Sequence, residues 1–328
     1  MKIGVIGAGA WGTALAQVAA SGGETVPLWA LEPEVVESVN ARHENSLYLP
    51  GVTLGGHVQA TGNLDDLADC DALLIVTPAQ HLRTLLAQAP CENKALIICC
   101  KGIEAGTGLL MSEAAQATCP VAPVAVLSGP TFAHEVGRGL PTAVTLACED
   151  EALGARIASR MKRPSFRPYL SRDVIGAEIG GAVKNVLAIG CGVAEGAGLG
   201  LNARAALISR GFAEMTRFGL ARGAQAETLA GLSGLGDLVL TCSSTNSRNF
   251  SLGKALGEGK SASELLANRR TVAEGAFTAP VLRDVARAAG VDMPIVEAVC
   301  ALLEGSRPVG DVVEALLSRP IRAESTLQ

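Results

Sequence analysis

A short apolar strand, Lys2-Ile3-Gly4-Val5-Ile6, opens this chain and runs straight into Gly7-Ala8-Gly9-Ala10-Trp11-Gly12. Few backbones satisfy that order of residues. In a strand–turn–helix each glycine does something different. Gly7 permits the tight turn, Gly9 lets a pyrophosphate reach bare backbone, and Gly12 lets the helix pack close on its strand. The helix expected from about Trp11 to Ala20 would then point its N-terminal N–H groups and positive dipole end at the phosphates. Glycine spacing alone is a weak signal in a chain with 38 glycines among 328 residues. The flanking strand and helix supply the context that makes it a dinucleotide-binding turn.

The first half continues to alternate strand-like and helix-like segments. Strands are expected at Thr25 to Trp29, Ala72 to Thr77, Ala95 to Cys100, Val124 to Leu127 and Ala143 to Ala147, with helices at Pro33 to Arg42 and about Gln80 to Gln88. Unbroken apolar runs such as Ala72-Leu73-Leu74-Ile75-Val76 fit strands buried on both faces of a parallel sheet. From about Asp173 onward helical periodicity takes over: Asn202 to Leu220, Ala262 to Asn268, Ala279 to Ala289, Pro294 to Glu304 and Val309 to Leu317. The expected fold class is α/β. A Rossmann-type doubly wound sheet would occupy residues 1–172 and an all-helical C-terminal domain residues 173–328. Ligands of such sheets collect at the carboxyl ends of the strands, here Gly7, Thr77-Pro78, Lys101 and Gly129.

Composition narrows the function classes. A net charge of −5 and scattered basic residues, with Arg269-Arg270 the notable adjacent pair, argue against nucleic acid, as do aromatics at only 3%. Apolar stretches are cut by glycine, proline or charge; the longest, Val174 to Leu201, holds Glu178, Lys184 and Glu195, so no spanning helix of about 18 residues is expected. With no charged n-region ahead of an apolar leader, the chain reads as cytoplasmic. Nine cysteines without a Cys-x-x-Cys spacing and four histidines without an i, i+4 pair suggest neither a disulfide framework nor a metal site. The small-residue apolar helices leave a homodimer possible.

Reduction of a ketone by a nicotinamide needs a proton for the carbonyl oxygen, and a cationic lysine also steadies the developing alkoxide. Lys184 is the best candidate, in the apolar small-residue stretch Ile179-Gly180-Gly181-Ala182-Val183-Lys184-Asn185; the plain alternative is a lysine snorkelling from a core helix. Lys101 follows a buried strand and shares its edge with Gly129-Pro130-Thr131. It is either a substrate contact or a solvated cap. Asp237 sits inside the apolar run Gly234 to Thr241, and a buried carboxylate needs a partner, for which a lysine would serve. The donors of Ser243-Ser244-Thr245-Asn246-Ser247-Arg248-Asn249 suit a phosphate, with Arg248 as its bidentate anchor, or are simply a polar loop. Another dehydrogenase with a helical second domain, or a nucleotide-sensing module without chemistry, would share these features.

Taken together these blocks resemble the bacterial-type glycerol-3-phosphate dehydrogenases that use NAD or NADP. The likeness rests on Gly7 to Ala16, Tyr48-Leu49-Pro50-Gly51, Lys101-Gly102-Ile103-Glu104, Leu127 to Ala133, Gly180 to Asn185, Asn202-Ala203-Arg204, Gly234 to Leu238, Thr245 to Asn249 and Val272-Ala273-Glu274-Gly275. The resemblance implies that Lys184 exchanges the proton with the C2 oxygen, that Lys101 contacts substrate and cofactor, and that Asp237 orients Lys184. It places Gly129, Thr131, Lys184, Asn185, Asp237, Ser247, Arg248 and Asn249 on a small phosphorylated substrate, and Ala10, Trp11, Ala133, Arg248, Val272 and Glu274 beside Gly7, Gly9 and Gly12 on the cofactor. It also implies a supply of glycerol 3-phosphate to phospholipid synthesis. Two positions depart from the expected pattern: Pro27 lies within a strand whose ladder it cannot join, and the strand's exit, Trp29-Ala30-Leu31-Glu32-Pro33, lacks a base for a 2′-phosphate. Glu32 stands near the spacing at which an acid grips the ribose of NAD, so the choice of cofactor stays open at this stage.

Overall fold

The computed structural model describes residues 1–267 and 273–320 of the chain. They form two compact units, Met1–Lys101 with Leu109–Val174, and Gly102–Gly108 with Ile175 onward. The first holds β1 (Ile3–Ile6), α1 (Ala10–Ala20), β2 (Val26–Trp29), α2 (Pro33–Arg42), β3 (Val58–Thr61), β4 (Ala72–Ile75), α3 (Leu82–Leu86), β5 (Ala95–Ile98), α4 (Met111–Thr118), β6 (Val124–Ser128), α5 (Ala133–Gly137), β7 (Thr142–Ala147), α6 (Glu151–Met161) and β8 (Phe166–Ser171). The eight strands make one sheet in the order β3-β2-β1-β4-β5-β6-β7-β8. All neighbours are parallel except β6 and β7.

Every residue of β1, β4 and β5 is buried, as expected of parallel strands covered on both faces. Two helix groups flank the sheet, α1 packing with α5 and α6, and α3 with α4. Register sets the working edge. Ile6 lies level with Trp29 and Ile75, and Ile75 with Ile98, so Gly7, Thr77 and the approach to Lys101 follow the strands out of one rim. Pro27 is tolerated in an internal strand because the β1–β2 pairing begins one residue later, at Leu28; its missing N–H falls before that ladder.

Two strands carry little sequence signal. Four-residue β3 has an exposed Gln59, and β8 contains Pro168 and is largely exposed, which only an edge position permits. Helix α6 does carry a signal: Asp150 caps it by accepting the Ala152 and Leu153 N–H groups, and Leu153, Ile157 and Met161 form a buried i, i+4 stripe.

The second unit is helical: α7 (Val174–Gly196), α8 (Gly200–Ala221), α9 (Ala226–Leu229), a π-helical turn at Leu232–Gly236, α10 (Asp237–Thr241), α11 (Arg248–Gly257), α12 (Ala262–Ala267), α13 (Glu274–Ala288), α14 (Pro294–Leu303) and α15 (Val309–Leu317). Arg269, Arg270 and the expected end of α12 at Asn268 lie outside the described residues. Helix α7 corrects the membrane reading. Its glycines and three charges, Glu178, Lys184 and Glu195, do not interrupt it, and by length and apolarity it could cross a membrane, yet 83% of its most apolar window is buried inside the protein. Its small residues serve close packing. A Cβ on Gly192 would stand 2.1 Å from the Phe250 carbonyl oxygen, and one on Gly253 2.0 Å from that of Ile189, so α7 and α11 touch backbone to backbone. Helix α13 begins at Glu274 rather than near Ala279, spanning Pro280. Its extra turn is secured by tertiary contact: the Gly275 N–H donates to Asn249 Oδ1 at 2.9 Å.

Candidate active site

In the first unit the three glycines of the turn differ as the chemistry requires. Gly7 has φ +111°, and a Cβ there would lie 2.7 Å from the Val76 carbonyl oxygen. A Cβ on Gly12 would lie 1.8 Å from the Gly7 carbonyl oxygen, whereas one on Gly9 meets nothing within 4 Å. Gly9 is the N-cap of α1, without a side-chain cap and with no acidic residue in the first turn. Bare backbone, free space and an uncapped helix start together fit a pyrophosphate.

Around the same rim, Lys101 Nζ donates to the Gly129 carbonyl oxygen at 3.4 Å and Thr131 Oγ1 donates to it at 3.3 Å. Gly129 has φ +154°, and a Cβ would meet Val144 Cα at 2.9 Å, so its carbonyl is held by a backbone no larger residue could copy. Ala133 starts α5. Three buried polar atoms here, Trp11 Nε1, Thr77 Oγ1 and Ser128 Oγ, have no hydrogen-bond partner among the described residues. Buried donors are ordinarily satisfied.

In the helical unit Lys184 and Asp237 meet. Lys184 is 5% and Asp237 0% exposed, and Lys184 Nζ donates to Asp237 Oδ1 at 2.5 Å and to Thr241 Oγ1 at 3.0 Å. Thr241 Oγ1 in turn donates to Asp237 Oδ1 at 3.2 Å. The glycines before Lys184 explain how. A Cβ on Gly180 would stand 2.3 Å from the Ser233 carbonyl oxygen, so the π-helical turn rests on α7 one turn ahead of Lys184 and hands Asp237 directly to it. Such π turns recur at functional sites. Sequence reasoning misses Thr241; the signal that could have found it is the i, i+4 spacing from Asp237, which puts both on one helix face.

The neighbouring polar residues divide into two kinds. Asn249 Nδ2 donates to Asn185 Oδ1 at 3.0 Å while Asn249 Oδ1 takes the Gly275 N–H, tying α7, α11 and α13 together. Ser247 Oγ caps α11 by accepting the Phe250 N–H at 3.2 Å. Arg248, next along, is exposed and makes no hydrogen bond or ion pair with a described residue. It is the available cation on this element. Glu274 is the first residue of α13, and Val272 lies outside the described residues.

Two family models cover nearly all of this chain: the N-terminal region of NAD-dependent glycerol-3-phosphate dehydrogenase matches residues 2–154 and the C-terminal region residues 173–314. The chain belongs to that family. Glycerol-3-phosphate dehydrogenase [NAD(P)+] of Erythrobacter litoralis is 62% identical over 323 residues, 98% of each chain, and that of Novosphingobium aromaticivorans is 62% identical over 327 residues, 99% of each. A crystal structure of glycerol-3-phosphate dehydrogenase from Coxiella burnetii superposes with a TM-score of 0.92 at 36% identity, covering 97% of this chain and 99% of that one. The family's two-part plan, a Rossmann-like sheet followed by a helical region, is the plan described above.

Proposed function

We propose that this protein interconverts sn-glycerol 3-phosphate and dihydroxyacetone phosphate by hydride transfer with NAD or NADP. The buried Lys184–Asp237–Thr241 cluster carries the reading, because a dehydrogenase of this family needs a held cation at the C2 oxygen. When bound, the nicotinamide supplies or accepts the hydride at C2. Lys184 donates its proton to the C2 oxygen as the ketone is reduced and recovers it when the alcohol is oxidised. Asp237 and Thr241 fix the ammonium, so that its charge is already oriented when the alkoxide develops. Gly7, Gly9, Gly12, Ala10 and Trp11 bind the pyrophosphate, and Ala133, Val272, Glu274 and Arg248 the rest of the cofactor. Lys101, Gly129, Thr131, Asn185 and Asn249 position the substrate, and Arg248 with Ser247 anchors its phosphate. In the reducing direction the glycerol 3-phosphate is available to phospholipid synthesis.

The test is a steady-state assay in which dihydroxyacetone phosphate drives oxidation of NADH or NADPH. Arg248→Ala should raise the KM for this substrate by about tenfold or more, the loss of a charge-assisted hydrogen bond, with little change in melting temperature because the side chain is exposed. No oxidation with either cofactor would refute the activity; an unchanged KM would refute the phosphate anchor.

A further inference from the structure

Where the ends of α1 and α5 meet the 51–53 loop and the start of β8, the first unit forms a cavity of about 380 Å³, within the size range of small-ligand sites. It lies apart from the pyrophosphate turn. Gln17 and Ser21, which line it from α1, stand about 12 and 18 Å along the helix from Gly9.

The charge of this cavity is one-sided. Arg138 and Arg163 line it, and among the described residues no acidic side chain does, although the chain as a whole carries a net charge of −5. Arg163 is locked in place. Its Nε donates to Ser21 Oγ at 3.0 Å, Nη2 to the Ala19 carbonyl oxygen at 2.9 Å, and Nη1 to those of Arg160 and Lys162 at 2.9 and 2.6 Å. All these acceptors are neutral, and one Nη2 N–H is left over. Glu24, the carboxylate whose charge reaches Arg163, is itself paired with Arg160 at 2.6 Å. Burial and the charge of Arg160 pull the Arg163 guanidinium below its ordinary range, as befits a cation short of a counter-charge. Arg138 is the C-cap of α5, exposed, and makes no side-chain hydrogen bond or ion pair with a described residue.

The other walls offer both polar and apolar partners. Gln17 Oε1 accepts the Gly55 N–H at 2.8 Å, which leaves its Nε2 as a donor, and the Ser165 hydroxyl lines the cavity as well. Val18, Val52, Val136 and Phe166 form an apolar side. Arginine pairs of N–H groups match phosphate oxygens, and the apolar side suits carbon. We propose that this cavity binds a small organic phosphate, its dianion between Arg138 and Arg163 and its carbon body against the valines and Phe166. The plain alternative is that Arg163 only caps the last carbonyls of α1, as its bond to Ala19 does.

Phenyl phosphate joins a dianion to an apolar ring, and calorimetric titration reads its binding without turnover. The titration is run in the Arg248→Ala variant, which removes the phosphate anchor of the helical unit. Phenyl phosphate should bind there at one site per chain with a Kd below about 1 mM, and at least about threefold more tightly than inorganic phosphate, which has no carbon to lay on the apolar side. Adding Arg138→Ala should weaken it by about tenfold or more, with the melting temperature unchanged because that side chain is exposed. Ser165→Ala should weaken it by about threefold. A Kd above about 1 mM would overturn the proposal and leave Arg163 as a helix cap. Binding that ignores Arg138→Ala would overturn it too, and inorganic phosphate binding as tightly as phenyl phosphate would overturn the apolar seat.

Discussion

Lys184→Met keeps most of the lysine's length but takes from the fully buried Asp237 its cationic partner. Breaking a buried ion pair costs about 3–5 kcal/mol, a large part of the ~5–15 kcal/mol that holds a protein folded. Asp237→Leu takes the carboxylate away from Lys184, itself only 5% exposed, and should cost a similar amount. The double variant Lys184→Met/Asp237→Leu buries two apolar side chains instead of two charges and should recover most of the loss, since apolar replacement of a buried pair is often neutral. Activity should not recover. Loss of a general acid costs ~10²–10⁴ in rate and loss of alkoxide stabilisation ~10²–10³, so turnover falls by at least about 10⁴ in Lys184→Met and in the double variant alike. Urea denaturation of all four proteins and dihydroxyacetone phosphate-driven cofactor oxidation check this. Additive stability losses in the double variant would refute the buried pair, and Lys184→Met within about 100-fold of normal turnover would refute the acid–base role.

The glycine turn predicts a contrast between neighbours. Gly9→Ala meets open space, so its melting temperature should match the wild type while NADH affinity falls; Gly12→Ala forces a Cβ onto the Gly7 carbonyl and should lose both, at a cost of about 1–3 kcal/mol or more. Equal melting losses in the two would contradict the assignment. Glu214, buried beneath α14 and accepting the Ile295 and Val296 N–H groups, is raised by burial from the ordinary 4.5 to about 8. Its native form holds a proton that the unfolded chain releases near pH 4.5, so stability is full below that pH and declines as pH rises through about 8. At ~1.4 kcal/mol per pH unit the decline reaches up to about 5 kcal/mol, and Glu214→Gln should abolish it; parallel pH–stability curves for the two proteins would rule it out.

The legible features were those with a local cause. Gly7 shows a positive φ because the turn demands one, and β4 and β5 showed themselves as unbroken apolar runs because both their faces are covered. Elements half in solvent, such as β3 and β8, left no comparable pattern. The helix expected from Ala279 starts at Glu274 instead; contacts around Gly275 outweigh the preference of a proline such as Pro280 for a helix's first turn.

Function divided along the same line. The residues alone established that a dinucleotide turn, a lysine in an apolar helix and a carboxylate in an apolar run are present, because glycine spacing and burial of polar groups are constraints a short stretch must meet by itself. The tertiary structure brings Lys184 to Asp237 across 53 positions, as the sequence led one to expect; only that structure decided that Thr241 completes the cluster and that Glu32 turns toward Tyr48 instead of toward its own helix. A hydrogen bond needs its partners within about 3 Å and aligned, and residues far apart in sequence reach that geometry only when the packing of whole helices and loops places them there.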